Sequence, residues 1–543
     1  MAVTEEEASW PLYRPVRPLP FELVQHVGIF FEEKLYKQAL NLLLTIITTG
    51  TNPPTPVYAP PPQHLALAAT FLVHPSTTTR AKTADEEEVP NVSLRLLRLT
   101  NTLAGPLSAK LGVAFSFTHF ESSRHGRRRR AEDERLPDDD TKPLNLDLAQ
   151  SASVWSRAED FWHAVGWAFN CSVLHRDRWE QWQVWLEYMC EVLEDDWNER
   201  KRLSANPIAK TDHSQILKDS LVFQYISQAS AGYGHNRRIL RAIFADGGST
   251  SANEFREVFH HELKKPKQQD KNARKREVHV NINEDQYGDY LINDDESSDN
   301  DADPAAKRPS RQSKRPRRGT RSKDAKSTDA LDTYPSTFAV SDLSSHGGFQ
   351  SLALRQRLLN LLSVVSESLP DSFIPLEDLY HLFVENIRHL PLPVFQALIA
   401  PTTLPHLSPE ACTTLCEFLL FRIRESAAPD TDDEYLNQTK LEECFLPYAA
   451  STTSLVDNTK ISILLETLVM LLANNDMLRV TPKLQEAVEA GIQRRAERAQ
   501  TETKKSQSAR KSEDTEWCWL LESGERLRFL VEEILPRAED EDE

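Results

Sequence analysis

The chain reads as all-α: two irregular helical domains, HEAT/TPR-like or solenoid-like, joined by a long charged linker. Three observations predict this. Leu-rich stretches repeat apolar residues at three- and four-residue spacing. Glycine is scarce, 16 in 543 residues, which disfavours a turn-rich β architecture. Prolines such as Pro370, Pro375, Pro391, Pro401 and Pro409 fall between the periodic stretches, where helices end and restart.

The first helical region covers 21–49, where Phe30, Leu35, Ala39, Leu42, Leu43 and Ile46 share one broad face. No second copy of it follows at a fixed period, so a repeat array is not supported. After a Pro-rich loop, helices are expected over 63–73 and 90–104. Residues 121–147, basic and then acidic, interrupt the fold as a solvated loop. Residues 151–262 are the most distinctive part, with a Trp-rich helical hairpin over 151–200. Trp162, Val165, Phe169 and Val173 form one helical pattern; Trp179, Trp182, Leu186, Met189, Leu193 and Trp197 form the next. Asp177 is the expected N-cap between them. A helical hairpin with interlocked rings follows, and further helices over 213–230, 235–245 and 251–264.

From 265 to 345 apolar residues nearly vanish, so the stretch cannot offset the entropy of ordering and reads as a disordered linker. Amphipathic helices resume over 352–369, 376–389, 409–425, 441–450 and 455–474. Thr481-Pro482 marks the start of another. Trp517, Trp519 and Leu521 alternate as in a hairpin, but the Glu, Arg and Leu content favours helix over 517–531. The expected division is a disordered N-terminus (1–14), an N-terminal helical domain (15–264), the linker (265–345), a C-terminal helical domain (346–535) and an acidic tail (536–543).

Composition narrows the function. The net charge of −18 argues against a general nucleic-acid coat. Six cysteines without a CxxC pair suggest a reducing compartment. The N-terminus is no targeting peptide, and no apolar run is long enough to span a bilayer. Catalytic and metal signatures are not found. Gly232-Tyr233-Gly234 is a lone GxG without a preceding strand. His260-His261-Glu262 lacks the second histidine of a zinc helix and reads as an exposed helix end. Cys412 and Cys416, one helical turn apart, read as core packing. Asp195 and Asp196 carry no sign of a buried carboxylate. No catalytic residue, cofactor or metal site is therefore expected.

Interaction signals are richer. The tryptophans read first as core; Trp179, Trp182 and Trp185 are the alternative partner surface, since Trp is enriched in binding hot spots. Lys307, Arg308, Lys314, Arg315, Arg317 and Arg318 form two basic clusters that suit a nuclear import receptor, with Arg127 to Arg130 a weaker second candidate. Tyr290, Leu291 and Ile292, followed by Asp294 and Asp295, resemble a SUMO-interacting motif, in which a short strand joins a sheet edge. Ser297 and Ser298 precede acids and are candidate phosphorylation sites.

The helical character with these linker motifs resembles regulators of chromosome maintenance, such as helical subunits of chromosome-organising complexes, with no matched motif behind the likeness. The expectation is a non-enzymatic nuclear scaffold or adaptor subunit of a protein complex, tied to chromosome maintenance and chromatin by that likeness alone. Its partners would be proteins of that complex, an import receptor and SUMO, with no membrane. A nucleic-acid-associated factor using the basic clusters is the alternative, and an enzyme of unrecognised helical type the weaker one.

Overall fold

The computed structural model describes residues 12–49, 55–117, 144–205, 213–228, 234–264, 346–404, 406–429, 435–500 and 507–535. These are overwhelmingly helical. The N-terminal part runs β1 (Val16–Pro18), α1 (Phe21–Glu32), α2 (Tyr36–Ile47), β2 (Val57–Ala59), α3 (Pro62–Phe71), α4 (Ala84–Ala104), α5 (Leu111–Ala114), α6 (Val154–Arg157), α7 (Phe161–Leu174), α8 (Arg176–Ser204), α9 (His213–Lys218), α10 (Leu221–Gln228), α11 (His235–Ile243) and α12 (Ser249–Glu254). The C-terminal part runs α13 (Gly348–Ser368), α14 (Leu376–Ile387), α15 (Leu392–Ile399), α16 (Pro409–Ile423), α17 (Gln438–Lys440), α18 (Leu455–Asn474), α19 (Pro482–Gln500) and α20 (Gln507–Phe529). Among the described residues, no helix is long and apolar enough to cross a membrane.

Local chemistry explains where the elements begin and end. The region read as one helix over 21–49 is two. Lys34 takes a left-handed φ of 59°; the Leu35 N–H reaches the Phe30 carbonyl at 2.8 Å and the Lys34 N–H the Phe31 carbonyl at 3.1 Å. That pair of bonds closes a helix C-terminus, here with Lys in the place usually given to Gly. The short β1 and β2 pair in parallel, Val16 with Val57 and Pro18 with Ala59. Helix α4 starts earlier than 90 because Thr83 and Glu86 form a reciprocal capping box, and the helix runs through Pro90. Helix α8 begins at Arg176 without a side-chain cap. Asp177, expected as the N-cap, lies instead in the first turn, where its charge complements the helix dipole. Further on, Thr481 caps α19 as expected, accepting from the Leu484 N–H at 3.1 Å. The stretch 517–531 is helical and ends in a π turn, Leu530–Ile534.

The helices on either side of 265–345 belong to one compact unit and share a continuous apolar core. Helix α13 packs on α7, α8 and α11, and α14 also meets α11. The joint centres on Arg355, which is 1% exposed. Its guanidinium donates to the carbonyls of Ile243 at 2.5 Å and Ala245 at 2.8 Å, and lies 4.1 Å from the centre of the Phe169 ring. Burial lowers its pKa to about 9, so it stays cationic at neutral pH. Arg357 forms a two-pronged pair with Glu194 at 2.5 and 2.6 Å, and Ser351 meets Ser172 at 3.3 Å.

This joint predicts that a protease site engineered between 264 and 346, once cut, leaves two pieces that co-elute on size exclusion. Arg355→Leu strands two buried carbonyls and removes the ring contact, costing about 2–4 kcal/mol in denaturant unfolding. Separation of the cut native pieces at micromolar concentration would refute the shared core.

Candidate functional site

The tryptophan-rich stretch forms the centre of the N-terminal part. Trp155, Trp162, Trp167, Trp179, Trp182, Trp185 and Trp197 are all buried. Trp179, Trp182 and Trp185 thus offer no ring face to solvent in this unit: 6%, 0% and 0% exposed. Trp182 and Trp185 meet edge to face at 5.5 Å, while Phe161 stacks on Tyr225 at 4.5 Å. An indole N–H can only donate. Trp155 satisfies its own on the Ala66 carbonyl at 2.9 Å and Trp162 on Tyr225 at 3.0 Å.

Trp167 and Trp182 instead converge on Glu262. Oε1 accepts from Trp182 Nε1 at 2.7 Å and from Arg178 Nε at 2.7 Å; Oε2 accepts from Trp167 Nε1 at 3.1 Å and the Phe259 N–H at 3.2 Å. Arg178 Nη2 lies 2.5 Å from Oε1, and the two side chains are 4% and 0% exposed. The rest of the guanidinium reaches back to the Val73 carbonyl at 2.5 Å and Thr78 Oγ1 at 2.9 Å. The reading of His260-His261-Glu262 as an exposed helix end is corrected here. His260 and His261 are exposed, but Glu262 turns inward because two indoles and one arginine need an acceptor. Arg178 stands among Arg176, Asp177, Glu180 and Gln181, so nothing in its local sequence marks it as buried, and its carboxylate partner lies 84 residues away.

Asp196 is a second buried carboxylate that the sequence did not announce. It accepts from Arg200 Nε at 3.1 Å and from the Leu221 N–H at 2.8 Å, and burial raises its pKa against the pull of Arg200. Neighbouring Asp195 accepts from Asn101 at 2.5 Å. These bonds tie α8 to α10 and α4, and each carboxylate is engaged in packing contacts. Cys412 and Cys416 are buried, with Cys412 Sγ 3.3 Å from the Ile399 carbonyl. Among the described residues, no group of three His, Cys, Asp or Glu side chains is placed to hold a metal ion. Gly234 takes a φ of 104° at the start of α11; Gly232 and Tyr233 lie outside the described residues. So do Lys307, Arg308, Lys314, Arg315, Arg317, Arg318, Tyr290, Leu291, Ile292, Asp294, Asp295, Ser297, Ser298 and Arg127 to Arg130.

Next to the Glu262 hub the surface opens into a depression of about 710 Å³, lined among others by Arg157, Trp167, Leu174, Arg256, His260 and Leu263. It combines an apolar wall with two arginines that form no ion pair among the described residues. No family model matches the chain, and no curated protein matches it by sequence.

Two predictions test this core. Glu262→Gln leaves Arg178 without its counter-charge in a dry site, so urea unfolding should show a loss of about 3–5 kcal/mol; a change near zero would mean the hub is open to water. Burial also holds two nearby histidines neutral: His64 and His74 are each lowered from 6.5 to about 4. The unfolded chain takes up these protons below 6.5 while the folded chain resists until about 4. Stability is therefore complete above pH 6.5 and falls as pH drops towards 4, by on the order of 3 kcal/mol for His64 alone. His64→Phe should flatten that part of a melting-temperature profile; an unchanged slope would place the proton uptake elsewhere.

Proposed function

We propose that the protein is a non-enzymatic nuclear scaffold or adaptor: a helical body, of HEAT/TPR-like or irregular solenoid character, that carries short linear motifs on the stretch 265–345. The observation that carries this is the joint at Arg355. Because α11 and α13 pack together, the residues that flank this charged, apolar-poor stretch on both sides, Lys264 and His346, are held on one body. Two basic clusters, Lys307-Arg308 and Lys314 to Arg318, sit within it. Lysine and arginine in an apolar-poor context suit the acidic groove of an import receptor, and Tyr290 to Ile292 with the acids after it suit the sheet edge and basic rim of SUMO. Phosphate on Ser297 and Ser298 would deepen that charge and tighten such a contact. The buried Glu262 and Asp196 fit the same reading, since their acceptors are taken up by packing partners rather than aimed at a ligand.

The same basic clusters favour a second reading, a nucleic-acid-associated factor, which predicts binding to DNA or RNA that weakens steeply with salt. A role in chromosome maintenance remains part of the proposal by likeness of class only.

Changing Lys307, Arg308, Lys314, Arg315, Arg317 and Arg318 together to Ala should leave a fluorescent fusion cytoplasmic. Nuclear accumulation that survives these changes, and survives further replacement of Arg127 to Arg130, defeats the nuclear assignment. Affinity purification from nuclei followed by mass spectrometry then tests the scaffold itself: a stable set of co-purifying proteins is expected, and its absence counts against it.

A further inference from the structure

The depression beside Glu262 has a chemistry at odds with the rest of the chain. The protein carries a net charge of −18, yet Arg157 and Arg256 line this hollow, both exposed. Neither forms an ion pair among the described residues; Arg256 Nε is spent only on the Asn253 carbonyl at 3.2 Å. His260 and His261 add exposed imidazole rings; desolvation first, then His260, Lys264 and Arg80 close by, lower the pKa of His261. Glu257 is the carboxylate on the wall. The apolar part is equally unusual. Leu174 and Leu263 are 47% and 38% exposed, beside the buried Trp167. Exposed leucines grouped in a concave site and rimmed by unpaired arginines mark a contact surface more than a solvated face.

We propose that this depression is a docking site for an acidic peptide segment of a partner protein, one that carries an apolar anchor side chain among its carboxylates. The anchor enters between Leu174 and Leu263, while Arg157 and Arg256 meet flanking Asp or Glu side chains with two-pronged bonds. The size of the hollow suits a single large side chain and its neighbours. Charge complementarity sets the partner's sign. The apolar wall sets its class, because a polyphosphate backbone has nothing to place against two leucines. The proposal deepens the scaffold reading and rests on it by naming a partner chemistry; nuclear localisation is a separate observable, so the two fail independently.

Fluorescence anisotropy on the full chain decides it. The probe is a short fluorescein-labelled peptide with one Leu-Trp pair flanked by aspartates and glutamates. Controls are the same peptide with the pair replaced by serines, and a labelled oligonucleotide of equal charge. All are run in the background where the six basic residues between 307 and 318 are Ala, so that those clusters do not compete. Saturable, micromolar, salt-sensitive binding is expected. Arg157→Glu with Arg256→Glu should weaken it at least about tenfold, and the serine peptide should lose a similar factor. Both arginines are exposed and unpaired, so the melting temperature of the double variant should stay within a few degrees; Leu263→Ser, which should weaken binding several-fold, gives a second, charge-neutral variant. Absence of saturable binding, equal binding by the charge-reversed protein, or equal affinity for the oligonucleotide overturns the proposal.

Discussion

A carboxylate taken wholly out of water is destabilising unless every lone pair and its charge are answered. Glu262 meets that demand with one guanidinium, two indoles and one backbone N–H. The geometry fixes more than a side chain. Arg178 and Trp182 lie on α8, Trp167 on α7, and Arg178 also holds the Val73 carbonyl just past α3. The end of α3, the α7–α8 pair and the turn that carries Glu262 therefore cannot shift against one another without exposing a partner of this carboxylate. Trp167 of α7 and Trp182 of α8 have their indole N–H groups pinned here, and the depression on the surface owes its wall to the same turn that carries Glu262 inward.

Arg178 is one case of a device the chain uses repeatedly. Helices joined by short, irregular connections leave carbonyls at their last turns without partners. Arg355 donates to Ile243 and Ala245 at the end of α11. Arg495 reaches the Leu446 carbonyl at 3.0 Å beyond the π turn Leu441–Phe445. Arg424 does the same for Cys444 at 2.8 Å. A long cationic side chain from a neighbouring helix thus serves as a C-terminal cap from outside, and its charge suits the negative end of the helix dipole. Packing adapts to it: at Gly491 an added Cβ would lie 1.9 Å from the Leu446 oxygen, so that helix approaches closely enough for Arg495 to reach only without a side chain there.

This device also marks where the sequence was and was not legible. Elements were readable because their signals are local. The periodicity of Leu455–Asn474, the Thr481-Pro482 start and the helix over 517–531 all appear where spacing and capping chemistry place them. The break at Lys34 was missed because it uses a left-handed lysine where a glycine would have announced it. The early start of α4 was missed because Pro90 imitates a first-turn proline, while the capping box that decides the matter lies upstream of it. Glu262, Asp196 and Arg355 were missed for a different reason. Charged residues are read as exposed because they almost always are, and their burial here draws on partners 84, 25 and 112 residues away, which no local window contains; Asp196 has in addition a local charged partner, Arg200.

The same asymmetry shapes what function the chain can support. Interior Arg178, Arg355, Glu262 and Asp196 are engaged in joining helices. Groups left for outside partners lie on the exposed turn after Phe259, where His260, His261 and Leu263 face solvent while Glu262 does not, and at the C-terminal ends of α6 and α7, where Arg157 is exposed without an ion pair among the described residues and Leu174 is 47% exposed. One turn alternates between the two duties residue by residue. Its buried carboxylate fixes the backbone, and the backbone in turn holds the exposed side chains on either side in a set geometry. An apolar anchor bound there would meet a wall that needs little ordering on binding, which is the physical condition for a small concave site to recognise a short segment at useful strength.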